Sequence, residues 1–129
     1  MRMTRRAVLA ELRSIRRSVD RWAAEWGIGG DTLVDLQLAL GEAVANGIEH
    51  AYVPGEPGLV DVELELCDHR AVSVRVTDHG RWQPKPASPG YRGRGLMMIE
   101  RLAEAVRVLP SPAGTQASFE IPLVARPAF

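Results

Sequence analysis

Gly41-Glu42-Ala43-Val44-Ala45-Asn46-Gly47-Ile48-Glu49-His50-Ala51-Tyr52 is the stretch on which the reading of this chain turns. Val44 and Ile48 continue an apolar series begun by Leu33, Leu36 and Leu40 at spacings of three and four, which predicts an amphipathic helix over roughly 32–52. Asp31, just ahead of it, suits an N-cap. Glu42, Asn46 and His50 lie four apart and stack on one helical face beside the apolar stripe. An amide oxygen there suits a hard cation such as Mg²⁺, which keeps several waters and takes the rest of its shell from substrate phosphates. A carboxylate one turn earlier can polarise a hydroxyl or a water. Three solvated polar residues on the rim of an amphipathic helix fit the same pattern.

Upstream, Val8, Leu12, Ile15, Val19, Trp22 and Trp26 recur at spacings of 4, 3, 4, 3 and 4, so the first 26 residues read as a first amphipathic helix. It ends at Gly27, Gly29 and Gly30. Trp22 and Trp26 fall on its core side, although either could anchor a partner. Seven Arg within the first 21 residues form a solvated face or a basic contact surface for an acidic partner.

Downstream, Pro54, Gly55, Pro57 and Gly58 make a loop. Val60 to Leu66 and Val72 to Val76 alternate apolar and polar, and pair as a hairpin across Asp68-His69-Arg70. Residues 81–92, with Pro84, Pro86, Pro89 and Gly90, read as a loop of the length often used for lids. Gly93-Arg94-Gly95 opens a third helix, in which Met97 and Met98 read as core. Strands follow at Val106–Leu109 and Thr115–Ile121, and Pro122 ends the last or sets it at an edge. This order predicts one α+β domain over 1–129: a two-layer α/β sandwich, its helices on one face of a mixed, mainly antiparallel sheet.

The chain has 129 residues, 16 basic and 16 acidic, and a formal net charge of zero. That balance argues against direct nucleic-acid binding and against an acidic membrane surface. Lys85, the only lysine, sits between Pro84 and Pro86, so no glycine-loop lysine is present for phosphates. Cys67 is alone, no apolar run reaches membrane-spanning length and no secretory signal opens the chain, so a cytoplasmic protein is expected. Cys67-Asp68-His69 lacks the second ligand pair that zinc requires.

Three further segments carry chemistry. In Thr77-Asp78-His79-Gly80 a carboxylate at a strand end can accept from an exocyclic amine, and Gly80 lets the backbone pass closely. Gly93-Arg94-Gly95-Leu96 precedes helical sequence, where free backbone amides and the helix dipole favour an anion. Gly114-Thr115 is a turn before the last strand.

The order and spacing of the four segments resemble the GHKL ATPase superfamily, the fold of histidine-kinase catalytic domains and gyrase. Within it they most resemble the anti-sigma factor serine kinases. Glu42-Ala43-Val44-Ala45-Asn46-Gly47-Ile48-Glu49-His50-Ala51-Tyr52 matches that family's Mg²⁺ box, and Asp78-His79-Gly80, followed by Trp82, its adenine box. Gly93-Arg94-Gly95-Leu96 matches its second glycine box, and Gly114-Thr115 its closing Gly-Thr.

The resemblance implies ATP and Mg²⁺ as cofactors. It implies that Asn46 holds Mg²⁺ with His50 in the same box, and that Glu42 is the general base. Asp78 would bind the adenine amine, with room made by Gly80 and support from Thr115. Gly93, Gly95 and the amides leading into Leu96 would cradle the phosphates, and Arg92 or Arg94 would reach the terminal one. Residues 81–92 would be the ATP lid. The implied function is an anti-sigma regulator that sequesters a sigma factor and phosphorylates a STAS-domain anti-anti-sigma antagonist, working as a homodimer. The alternative is a non-catalytic nucleotide-sensing module or a regulatory domain of a larger serine phosphatase.

Overall fold

The computed structural model describes residues 1–51, 58–79, 90–111 and 114–123, with backbone alone at 50–51 and 90–95. Five strands and three helices follow in the order β1 (Arg2–Arg6), α1 (Leu12–Glu25), α2 (Gly30–Ala51), β2 (Leu59–Cys67), β3 (Ala71–Asp78), α3 (Gly90–Leu102), β4 (Glu104–Ser111) and β5 (Gly114–Pro122). A short 3-10 turn at Leu9–Glu11 joins β1 to α1. The sheet order is β1-β2-β3-β5-β4, and every pairing among the described residues is antiparallel.

Alternation builds the sheet. Val60, Val62 and Leu64 of β2, Val72, Val74 and Val76 of β3, and Phe119 and Ile121 of β5 are buried on one face. The helices cover that face. Ile15, Val19, Trp22 and Ala23 enter the core from α1, Leu36, Ala39, Leu40, Ala43 and Val44 from α2, and Ile99 from α3. Asp61, Glu63 and Glu65 look outward on β2, as the period-two pattern requires. The two-layer α+β sandwich expected from the order of elements is thus present. No described helix is long and apolar enough to cross a membrane.

Several boundaries differ from expectation. The first 26 residues are not one helix: Arg2–Arg6 form an edge strand whose Met3 is buried between exposed Arg2 and Thr4. Tertiary pairing overrides the helical period here, because β2 presents an open edge and Thr4 takes its place opposite Asp61. Val8, the first residue of the supposed stripe, is extended at φ −129° and ψ 146°. The stripe proper begins at Leu12.

α1 does end at the glycines. Trp26 closes it, Gly27 takes φ +68°, and Ile28 N–H and Gly27 N–H return to the carbonyls of Ala23 and Ala24 at 2.8 and 3.2 Å. This is a Schellman cap, and buried Ile28 supplies the apolar contact that accompanies it. Because the chain reverses there, Trp26 is 54% exposed and is not a core residue, whereas Trp22 is. Asp31 lies inside the first turn of α2 rather than ahead of it, where its charge still complements the helix dipole.

Met97 and Met98 are also not core residues, at 51% and 39% exposure. The buried position of α3 is Ile99, so the helix is rotated away from the expected register. α3 also opens at Gly90, three residues before Gly93, so 90–92 are helical and not loop. The β2–β3 turn holds both Asp68 and His69 at positive φ, 51° and 54°, as a type I′ hairpin turn requires. β4 is the second edge strand, longer than expected, with Ala105 at φ 52° where its register to β5 slips. Its Pro110 is tolerated because an edge strand leaves amides unpaired. Pro122 is the last residue of β5, with Leu123 N–H still donating to the Arg70 carbonyl at 2.8 Å, and β5 lies inside the sheet and not at an edge.

Candidate functional site

A cavity of about 230 Å³ lies between α2 and the ends of β3, β4 and β5, closed on one side by α3. Ala43, Asn46 and Gly47 line it from α2, Val76 and Asp78 from β3, Leu96 and Ile99 from α3, Val108 and Pro110 from β4, and Thr115 and Ala117 from β5. Its walls are mostly apolar, with three convergent polar groups: Asn46, Asp78 and Thr115. This is the usual make-up of a small-molecule site.

Asp78 is the best-defined of the three. It ends β3 facing the helices and is 7% exposed, one of two buried polar side chains among the described residues. The backbone N–H of Thr115 donates to its Oδ1 at 3.0 Å. A bond of this kind satisfies a buried carboxylate and fixes the plane of the group.

Gly114 makes that contact possible. It adopts φ +140°, and a Cβ built on it would fall 1.9 Å from the Asp78 carbonyl oxygen. Only glycine lets the start of β5 press so closely on β3. Gly47 plays a milder part on the other side, since a Cβ there would meet Asp78 Cβ and Oδ2 at 3.6 Å, ordinary contact. Gly114 belongs to the Gly114-Thr115 motif marked in the sequence, whereas Gly47 carries no role of its own there. A glycine inside a strongly patterned helix is itself the signal that could have drawn attention to Gly47.

The structure therefore brings Asn46, Asp78, Leu96 and Thr115 to one cavity, from four different elements. Glu42 stands one turn before Asn46 on α2, half-buried, and is not part of the cavity lining. His50 lies in the last turn of α2, and its side chain is outside the described set. Arg92, Gly93, Arg94 and Gly95 lie within α3, again with backbone alone described. Because α3 opens at Gly90, its four amides without an internal acceptor are those of residues 90–93. Gly93 is in that set, whereas the amides of Gly95 and Leu96 fall beyond it. Gly80 and most of the expected lid, residues 81–89, lie outside the described residues.

A second polar cluster borders the site on the opposite face of the sheet. Thr4 Oγ1 donates to Asp61 Oδ1 at 2.6 Å, and His79 Nε2 meets Asp61 Oδ2 at 2.7 Å. The hydrogen bonds from Thr4 and His79, with the nearby charges of His79 and Arg2, hold the Asp61 carboxyl below the ordinary carboxylate range, against a smaller opposing effect of burial. No sequence motif marked this trio, because Thr4 and Asp61 lie on two strands and His79 just beyond the end of a third.

The donor set limits what the site can hold. Among the described residues no group of three His, Cys, Asp or Glu could hold a metal ion alone. One neutral amide oxygen, Asn46, fits Mg²⁺ only where water and phosphate oxygens complete the shell. Asn46 thus fits a metal that arrives with phosphate oxygens of its own.

Comparison with known proteins accords with this geometry. Residues 6–121 match the family described as "Histidine kinase-like ATPase domain". The chain is 37% identical over 67 residues to the anti-sigma F factor of Clostridium botulinum (strain Alaska E43 / Type E3), covering 50% of this chain and 46% of that protein. It is 32% identical over 108 residues to the serine-protein kinase RsbW of Listeria innocua, covering 72% and 68%. The solved structure of the RsbU and RsbW domains of Rv1364c from Mycobacterium tuberculosis superposes with a TM-score of 0.70 at 25% identity, over 98% of this chain and 34% of that one. The match thus spans about half the length of the anti-sigma F factor relatives. A family match along nearly the whole chain, over a cavity where Asn46 of α2 faces Asp78 of β3, identifies it: the chain belongs to the histidine kinase-like ATPase family, in the branch of anti-sigma factors and RsbW-type serine kinases.

Proposed function

We propose that this chain binds ATP in the cavity between α2 and β3 and works as an anti-sigma factor with serine/threonine-protein kinase activity. The observation that carries this reading is the convergence of Asn46, Asp78 and Thr115 on one apolar cavity. An adenine ring suits those walls. Asp78, its plane set by the Thr115 amide, accepts from the exocyclic amine, and Gly80 leaves room for the ring.

Phosphoryl transfer depends mainly on positioning and on neutralising charge. Asn46 would hold Mg²⁺ through its amide oxygen, with His50 one turn on along α2, and the metal would supply charge neutralisation at the terminal phosphate. Gly93, with Gly95 and Leu96 behind it, would border the phosphates at the opening of α3, and Arg92 or Arg94 would reach the terminal one. Glu42 would take the proton of the attacking hydroxyl as that hydroxyl's oxygen bonds to the γ-phosphorus and the bond from it to the leaving ADP breaks.

The acceptor is a Ser or Thr of a STAS-domain anti-anti-sigma protein, and the sequestered partner is a sigma factor. The similarity to an anti-sigma F factor and to serine-protein kinase RsbW supports both. The balanced charge supports a protein partner over nucleic acid. The protein works in the cytoplasm as a homodimer.

A second reading has its own observation: Glu42 is absent from the cavity lining. On that reading the chain is a nucleotide-sensing module without turnover. One set of measurements separates the two. ADP with Mg²⁺ should raise the thermal midpoint of the wild type, and Asn46→Ala should remove most of that shift. Glu42→Ala should keep the shift and lose phosphorylation of the STAS partner by at least about a hundred-fold, the usual scale for a general base. Transfer at the wild-type rate in Glu42→Ala would remove Glu42 from the mechanism, and no transfer by the wild type would favour the module.

A further inference from the structure

The middle residue of Asp78-His79-Gly80 faces away from the cavity. Asp78 looks toward the helices, while His79 lies on the outer face of the sheet and its Nε2–H donates to Asp61 Oδ2 at 2.7 Å. A carboxylate can only accept, so Nε2 carries the hydrogen whether the imidazole is neutral or charged. The other oxygen of Asp61 accepts from Thr4 Oγ1–H at 2.6 Å. Thr4 and Asp61 are direct partners between β1 and β2, and Asp61 is the partner of Thr77 between β2 and β3. A continuous polar row thus crosses the outer face from the edge strand to the residue beside Asp78.

We propose that Thr4, Asp61 and His79 form a positioning clamp that sets the direction of the Asp78 carboxylate for the base of an adenine nucleotide. This deepens, and rests on, the reading of the cavity as a nucleotide site. The Thr115 N–H fixes one oxygen of the Asp78 carboxylate, and the backbone that carries the side chain is fixed in turn by the peptide between residues 78 and 79. That peptide is held from two sides. Gly114 presses on the Asp78 carbonyl from β5, and His79 is tied to β2 and through Asp61 to β1. Hydrogen bonds weaken steeply as their angle closes toward about 120°, so an acceptor that reads a base tolerates little rotation. The clamp is partly exposed, with His79 at 52% and Asp61 at 32%, and adds little to global stability. Its effect falls on the geometry of its neighbour. Among the described residues the other ion pairs on this face, Arg2–Glu63 and Arg75–Glu63, include no chain neighbour of Asp78, whereas His79 directly follows it.

Calorimetric titration with ADP and GDP tests the clamp, using substitutions at His79 that differ in which ring nitrogen they mimic. His79→Ala removes the bond. His79→Gln places an amide N–H near the position of Nε2 and restores it, whereas His79→Asn reaches only as far as Nδ1. His79→Ala and His79→Asn should weaken ADP binding about five-fold and narrow the preference for ADP over GDP by the same factor, while His79→Gln stays within about two-fold of wild type. Asp61→Ala should match His79→Ala, and the double substitution should be no worse than either. Thermal midpoints without nucleotide should stay within about 2 °C of wild type, which separates positioning from folding. Wild-type ADP affinity in His79→Ala, or additive losses in the double variant, would overturn the clamp alone. A wild-type protein that binds neither nucleotide would overturn the nucleotide site and the clamp together.

Discussion

Gly114 and Gly47 flank the same aspartate, yet they differ in what they tolerate. At Gly114 a methyl group would overlap the Asp78 carbonyl at 1.9 Å, in a backbone region, φ +140°, that side chains rarely adopt. Gly114→Ala is expected to cost about 2–4 kcal/mol of stability, the sum of strain and forced separation of β5 from β3. At Gly47 the same methyl group meets Asp78 at 3.6 Å within a helix. Gly47→Ala is expected to stabilise by up to about 1 kcal/mol through helix propensity, while narrowing the cavity. Urea unfolding of the two variants checks both signs. The asymmetry shows how far a motif can be read without coordinates. Gly114-Thr115 is legible as a glycine ahead of a strand. That Gly114 must be glycine because another strand's carbonyl occupies its place is long-range information, and no local pattern encodes it.

At the scale of elements, α3 is the instructive case. Its sequence Leu96-Met97-Met98-Ile99 offers four apolar residues in a row, so periodicity cannot say which one faces inward. The packing against α2 and the sheet selects Ile99, 2% exposed, and leaves Met97 and Met98 outside. Ile99→Ala should therefore cost about 2–4 kcal/mol, and Met97→Ala or Met98→Ala less than about 1 kcal/mol. Equal losses at 97 and 99 in chemical denaturation would contradict this rotation of α3. By contrast β2 and β3 were legible almost residue by residue, since strict alternation has one solution once a face is buried. β1 was not, because Met3 is the only buried residue in five and its pairing partner lies some sixty residues away. Of the residues expected at the site, Asn46, Asp78, Leu96 and Thr115 stand on regular elements and line one cavity. The trio Thr4–Asp61–His79 was not legible, because strand register creates it.

For the molecule as a whole, Asp61 makes a small contribution to the acid limb of stability. Asp61 keeps its proton off more readily when folded than when unfolded, because Thr4 and His79 donate to it. A group of this sign contributes stability that is present above its unfolded value of 3.8 and is lost as pH falls through its lower folded value. Asp61→Asn should thus flatten the fall in stability below about pH 4 while changing little in shape at neutral pH. An acid limb of unchanged steepness, followed by denaturant unfolding across that range, would show that Asp61 does not couple to folding.

β3 sits in the middle of the sheet, with β2 on one side and β5 on the other along nearly its whole length. In terms of exchange with solvent, the amides in the middle of β3 are expected to open last, and Asp78, at the end of that strand, is tied to it through Val60 of β2. Loss of Asp78 from the cavity is then expected to require opening of the β2–β3 pairing as well. Any substitution that lowers global stability, however distant, should reduce the fraction of molecules able to hold a ligand at Asp78 in proportion to the unfolded population. Variation in the core of this chain would be read in the cell as reduced dose, and not as altered specificity.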